Sequence, residues 1–143
     1  MAISDLYASG QHKQEIGHFA SIVKIAKTDN IISEGEKILL DRAAKKLHIS
    51  AVEYEKILEN PEKFPVNPPV SYEERIERLH RLTRMVFAND HVEKEQVHLL
   101  RKIAVALHFS TDNIDKICSK AIQLVARNSD LETFSTSIKE INH

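Results

Sequence analysis

Apolar residues recur along the chain at helical spacing, and the alternation of a β-strand is scarce. The first such stretch, about residues 12–28, sets Ile16, Phe19, Ala20, Ile22, Val23, Ile25 and Ala26 around most of a helical circumference. A helix apolar on so many sides predicts a central position, with neighbours on more than one face. Ser33 with Glu36 three residues on is a capping box, in which each side chain satisfies a backbone N–H at the helix start. It opens a second helix to about Leu47, whose stripe is Leu39, Leu40, Ala43, Ala44 and Leu47. Ser50 with Glu53 repeats the device ahead of a short third helix ending near Glu59. All four prolines, Pro61, Pro65, Pro68 and Pro69, fall within residues 60–70. Proline lacks an N–H and forces the preceding residue out of the helical region, so an irregular connection is predicted here, anchored by Phe64. Ser71 with Glu74 starts a fourth helix to about Asn89, and residues 93–107 form a fifth. Ser110 or Thr111 caps a sixth that reaches about Arg127, and Ser129 or Asp130 starts a short last one. The pattern predicts an all-α bundle of about seven helices, with Phe19, Val23, Leu40, Ala44, Phe87, Leu100, Ala104 and Leu107 in its core.

The chain also repeats itself. One constant offset takes Leu39-Leu40 onto Leu99-Leu100, Ala44 onto Ala104, and Leu47-His48-Ile49-Ser50 onto Leu107-His108-Phe109-Ser110. Upstream the offset is one residue larger, placing Thr28-Asp29-Asn30 on Asn89-Asp90-His91. Each copy reads as an apolar helix, an acidic turn, then an amphipathic helix. Two copies are too few for a solenoid. They predict one domain over residues 1–143, with pseudo-twofold halves at about 12–59 and 71–127 joined by the Pro-rich connection.

Composition narrows the function classes. Lys plus Arg total 20 against 21 Asp plus Glu, a net charge of -1, so no basic module for nucleic acid is expected. Arg75, Arg78, Arg81 and Arg84 resemble a basic stripe, but the first and last end up on opposite sides of a helix. Glu74 and Glu77 stand four residues before Arg78 and Arg81, which predicts local pairing on a solvated face. The single Cys118 lies among Ile114, Ile117, Ala121 and Leu124, the setting of a buried structural thiol. Residues 1–14 show no basic region followed by an apolar core, and no run is long enough to span a bilayer; a cytoplasmic protein is expected.

The acidic turns carry the one family likeness. Asp29-Asn30-Ile31-Ile32-Ser33-Glu34-Gly35-Glu36 resembles the Asp-Gly-x-apolar-Ser-x-x-Glu signature of the TerB-like family. Asp90-His91-Val92-Glu93-Lys94-Glu95 is a second, degenerate copy, and the resemblance covers about residues 15–127. It implies an all-helical, pseudo-symmetric domain associated with resistance to tellurite and other stresses, with membrane-linked assemblies, and with a metal-binding acidic surface. Carried over by position, the candidate metal residues are Asp29, Glu34, Glu36, Asp90 and Glu95. Asn30 and His91 stand where the family has Gly, and the shorter second turn leaves Glu95 and Gln96 both as counterparts of Glu36. No His-Pro-Asp triplet is present, so no J-domain is expected.

A hard divalent cation wants several oxygen ligands, and two carboxylate-rich turns brought together would supply them. Neither turn is an EF-hand. Counting from Asp29, ligand positions fall on Ile31, Ser33, Lys37 and Leu40; from Asp90, on Val92, Lys94, His98 and Arg101. The same residues also suit plain structural roles, Asp29 and Asp90 folding back on their turns and Ser33, Glu34 and Glu36 serving the cap and the helix dipole. Glu15-His18, Glu77-His80 and Glu95-His98 have the Glu-x-x-His spacing of di-iron bundles. Helical geometry reads two of them as surface pairs and His80 as partly buried. No His-Glu-x-x-His, Gly-x-Ser-x-Gly or phosphate-cradling Gly-rich loop occurs, so an enzyme is not expected. Two function classes follow. One is a TerB-like module whose acidic turns hold a divalent cation or dock a basic protein partner. The other is a metal-free protein–protein adaptor using an apolar groove between its halves.

Overall fold

The structure is a computed structural model and describes residues 3–27, 32–64, 68–87 and 94–141. Among these the chain is all-helical, with seven α-helices and no β-strand. They are α1 (Ile3–Ala26), α2 (Glu34–Lys46), α3 (Ala51–Glu59), α4 (Tyr72–Val86), α5 (Lys94–Ala106), α6 (Ile114–Ala126) and α7 (Leu131–Ile141).

α1 is the central rod. Ile16, Phe19, Ala20, Ile22, Val23 and Ala26 are all buried, and the helix touches α2, α3, α4 and α5. A helix apolar around its circumference loses contact with water only when surrounded, and this placement satisfies that demand. α4, α5, α6 and α7 pack on one another beside it, burying Leu79, Leu100, Ile103, Ile117, Phe134 and Ile138. All eight core positions expected from the spacing are buried, whereas Leu47 is only partly so. Cys118 is buried, and burial pushes its thiol up to about 11. No helix among the described residues is long and apolar enough to cross a membrane.

The three capping boxes form as spaced. Ser33, Ser50 and Ser71 each accept from the backbone of Glu36, Glu53 and Glu74, and each glutamate accepts the serine N–H in return. Two other boundaries depart from expectation. α1 begins at Ile3 rather than near residue 12, running through Gly10 despite the roughly 1 kcal/mol that glycine costs inside a helix. α6 begins at Ile114, not at a cap on Ser110 or Thr111; residues 111–113 form a turn in which the Asn113 N–H donates to Ser110 O at 3.0 Å. The third residue after Ser110 is Asn113, not Glu or Gln, so no side chain reaches back to complete a box. In the Pro-rich connection a single 3-10 turn spans Pro61–Lys63, and Phe64 packs against the core. Residues 65–67 lie outside the described residues.

Three helices end in the same Schellman geometry. His48, His108 and Asn128 hold φ of 58°, 65° and 56°. At each, the two N–H groups beyond the helix return to its last carbonyls, as in Ile49 N–H to Ala44 O at 2.9 Å and Phe109 N–H to Ala104 O at 3.2 Å. His and Asn tolerate this left-handed region better than most residues. Arg75 secures the α5 exit, donating through Nη1 to Leu107 O and His108 O at 3.3 and 3.0 Å while lying over the Tyr72 and Phe109 rings.

Candidate functional site

The acidic site is built on the starts of α2 and α5. Ser33 caps α2, which fixes Glu36 in the first turn with Oε1 accepting from the Ser33 N–H at 3.2 Å. Glu36 is only 3% exposed, an unusual depth for a carboxylate without a countercharge. That countercharge is Lys102 of α5, whose Nζ lies 3.0 Å from Glu36 Oε2 and 3.5 Å from Ala26 O. The ammonium therefore joins three elements. It faces the carbonyl end of α1, where the helix dipole is negative, while Glu36 sits at the positive end of α2.

The two helix starts touch. A Cβ built on Gly35 would lie 2.3 Å from Glu95 Cγ, so glycine lets the Glu95 side chain of α5 lie directly against the start of α2. Glu34 and Glu95 are both exposed there. Gln96 takes the placement in α5 that Glu36 has in α2, third in its helix and 1% exposed, with Nε2 donating to Val86 O at 3.0 Å. Of the two counterparts left open by the sequence, Gln96 shares the depth of Glu36 and Glu95 does not. Asp29 and Asp90 lie outside the described residues. The structure thus brings Glu34, Glu36 and Glu95 to one end of the bundle.

Both Glu36 oxygens are committed, one to the Ser33 N–H and one to the Lys102 ammonium. Among the described residues no group of three or more His, Cys, Asp or Glu side chains is placed to hold a metal. Lys102 was invisible to local reading because its partner stands 66 residues away. The one available signal was that a capping-box glutamate facing the core demands a cation.

His18 and part of the arginine stripe differ from expectation. His18 is not a surface residue of a Glu15-His18 pair but is 6% exposed, and burial, then Arg78 and Arg81, push its pKa down to about 4. His80 is partly buried as expected, its ring 4.7 Å from that of Phe134. Burial lowers its pKa, a hydrogen bond with the Ser129 backbone opposes that, and Arg84 and Arg81 lower it further. The arginine stripe does not act as one neutralised face. Arg75 serves the α5 exit, and the expected Glu77–Arg81 ion pair does not form; Arg81 and Arg84 are exposed with no carboxylate within 4.0 Å among the described residues.

Comparison of the chain with protein-family models, with curated proteins and with solved structures finds no significant match.

Proposed function

We propose that the chain is a TerB-like, pseudo-twofold binding module without catalytic activity, working in the cytoplasm, whose acidic end docks a positively charged segment of a protein partner. The observation that carries this reading is the seating of Gly35 against Glu95, which sets the starts of α2 and α5 side by side. Glu34 and Glu95 face solvent at that junction, while Lys102 already neutralises the buried Glu36. Exposed carboxylates at a helix start attract a mobile cationic side chain at modest desolvation cost. A basic segment is favoured over a metal because each Glu36 oxygen already has a partner, one of them the Lys102 ammonium. The matched exits at His48 and His108 support the pseudo-twofold. At the Pro-rich connection Phe64 is spent on the core, and Val70 is the large apolar side chain exposed there among the described residues, which supports the competing apolar-groove reading less than a lined groove would.

Two titrations test the proposal. A fluorescent lysine-rich peptide should bind the full chain and lose affinity several-fold to Glu34→Gln, Glu95→Gln. Calcium, magnesium, manganese and zinc should leave the melting temperature of the wild-type protein unchanged. A metal-dependent rise that vanishes in Asp29→Asn, Asp90→Asn would replace the docking reading with a cation site. Equal peptide binding by wild type and the Glu34, Glu95 variant would remove the acidic end as the docking surface.

A further inference from the structure

A second concave site lies away from the acidic end. A cleft of about 620 Å3 opens between α1, the end of α2, the outer face of α4 and the turn joining α6 to α7. Its volume is within the range of small-molecule sites. Lys46 in the last turn of α2 and Arg81 and Arg84 on α4 converge on it. None of the three has a carboxylate within 4.0 Å among the described residues, although Glu77 stands one helical turn before Arg81 on the same wall. The acidic group nearest the turn, Asp130, is already engaged: its Oδ1 accepts from the Thr133 N–H at 2.8 Å and caps α7. The start of α7 also borders the cleft at Leu131, its positive end offset by the Asp130 cap.

We propose that this cleft binds a small molecule bearing a single oxyanion, phosphate or carboxylate, held by Arg81, Arg84 and Lys46. Guanidinium groups meet such oxygens through paired charge-assisted hydrogen bonds, and the lysine adds a point charge from the opposite wall. Glu15 on α1 and Glu77 beside Arg81 on α4, which also line the cleft, repel a polyanion and accept from ligand hydroxyl or amino groups, which restricts the ligand to one anionic end. Two further observations agree. His80, another wall residue, buries Nε2 without a hydrogen-bond partner among the described residues. Burial holds both His18 and His80 towards the neutral form, helped by Arg78 and Arg81 at His18 and by Arg84 and Arg81 at His80. The inference does not depend on the acidic end or on the family resemblance.

The test is a titration of the isotope-labelled full chain with inorganic phosphate and, separately, acetate, at ionic strength held constant with sodium chloride and read from amide resonances. Saturable shifts are expected at Arg81, Arg84 and Leu131 and not along α3. Tighter binding of phosphate assigns a phosphorylated ligand, and tighter binding of acetate a carboxylate. Arg81→Gln, Arg84→Gln should weaken binding by about tenfold or more without lowering the unfolding midpoint, and Lys46→Gln should weaken it several-fold. Absence of saturation up to about 50 mM overturns the proposal, because paired charge-assisted contacts should bind in the millimolar range. Unchanged affinity in both variants, or shifts spread evenly over the surface, would overturn it equally.

Discussion

Replacing Lys102 with Met removes the countercharge of Glu36 while keeping most of the side-chain volume, and should be among the most damaging single changes in the protein. The Glu36 side chain is 4% exposed and that of Lys102 is 13% exposed, so water cannot readily take over from either partner. At 3.0 Å the pair attracts by about 5 kcal/mol for an effective dielectric near 20. Taking both ions out of water costs several kcal/mol each, so the intact pair contributes little net stability. Breaking it is different, because the carboxylate stays buried with its penalty and without its partner; the expected loss is about 3–5 kcal/mol. Glu36→Gln should cost less, since Gln still accepts from the Ser33 N–H and Lys102 keeps its contact with Ala26 O. The double variant Glu36→Gln, Lys102→Met has no charge left to strand and should recover at least 2 kcal/mol of the summed single losses (about that size for a buried charged pair). Urea denaturation of the four proteins at neutral pH gives the cycle. The Lys102→Met loss should persist in high salt, as expected for a pair shielded from mobile ions. A loss below about 1 kcal/mol, or additive single effects, would show that the pair is solvated and that the acidic end is not internally neutralised.

Gly35→Ala forces Glu95 aside and should destabilise by about 1 kcal/mol, whereas in a Glu95→Ala background the same change should stabilise by a similar amount through helix propensity; denaturation midpoints decide. His48→Gly and His108→Gly should each raise stability by about 0.5–1 kcal/mol, since glycine holds the positive φ at the helix exit without a Cβ; unchanged or lower midpoints would contradict the observed exits. His18 is depressed from 6.5 to about 4, so the unfolded chain binds the extra proton first as pH falls. Its contribution is complete above pH 6.5 and is lost between about 6.5 and 4, amounting to about 2–3 kcal/mol after allowance for partial screening. His18→Leu should flatten the stability–pH profile across that window, and an unaltered profile would refute the assignment.

What could be read from the chain follows the range of the interactions involved. Ser33-Glu36, Ser50-Glu53 and Ser71-Glu74 are contacts over three residues, and all three boxes form. The core positions were legible because burial on a helix repeats with its turn, as Leu100, Ala104 and Leu107 show. The start of α6 was misplaced because Ser110 lacks the glutamate that makes a cap self-evident. The Glu15-x-x-His18 spacing reads as a surface pair, yet His18 lies inside because α1 is covered on several sides. Lys102 and the seating of Gly35 on Glu95 depend on how α2 meets α5, which no local pattern specifies. The positions of Asp29 and Asp90, on which a shared acidic site turned, fall outside the described residues.

The central place of α1 has a consequence for biosynthesis. It leaves the ribosome before the helices that cover it, apolar on nearly every side, and its contacts with α4 and α5 cannot close until those segments are made. At ordinary translation rates the interval between the end of α1 and the end of α5 is on the order of ten seconds. Until α4 follows, Phe19, Ile22 and Val23, all fully buried in the finished fold, have only α2, α3 and the Pro61–Lys63 turn as native shelter among the described elements. A chain stalled before α5 would carry an exposed apolar rod, a natural substrate for chaperones and a nucleus for aggregation.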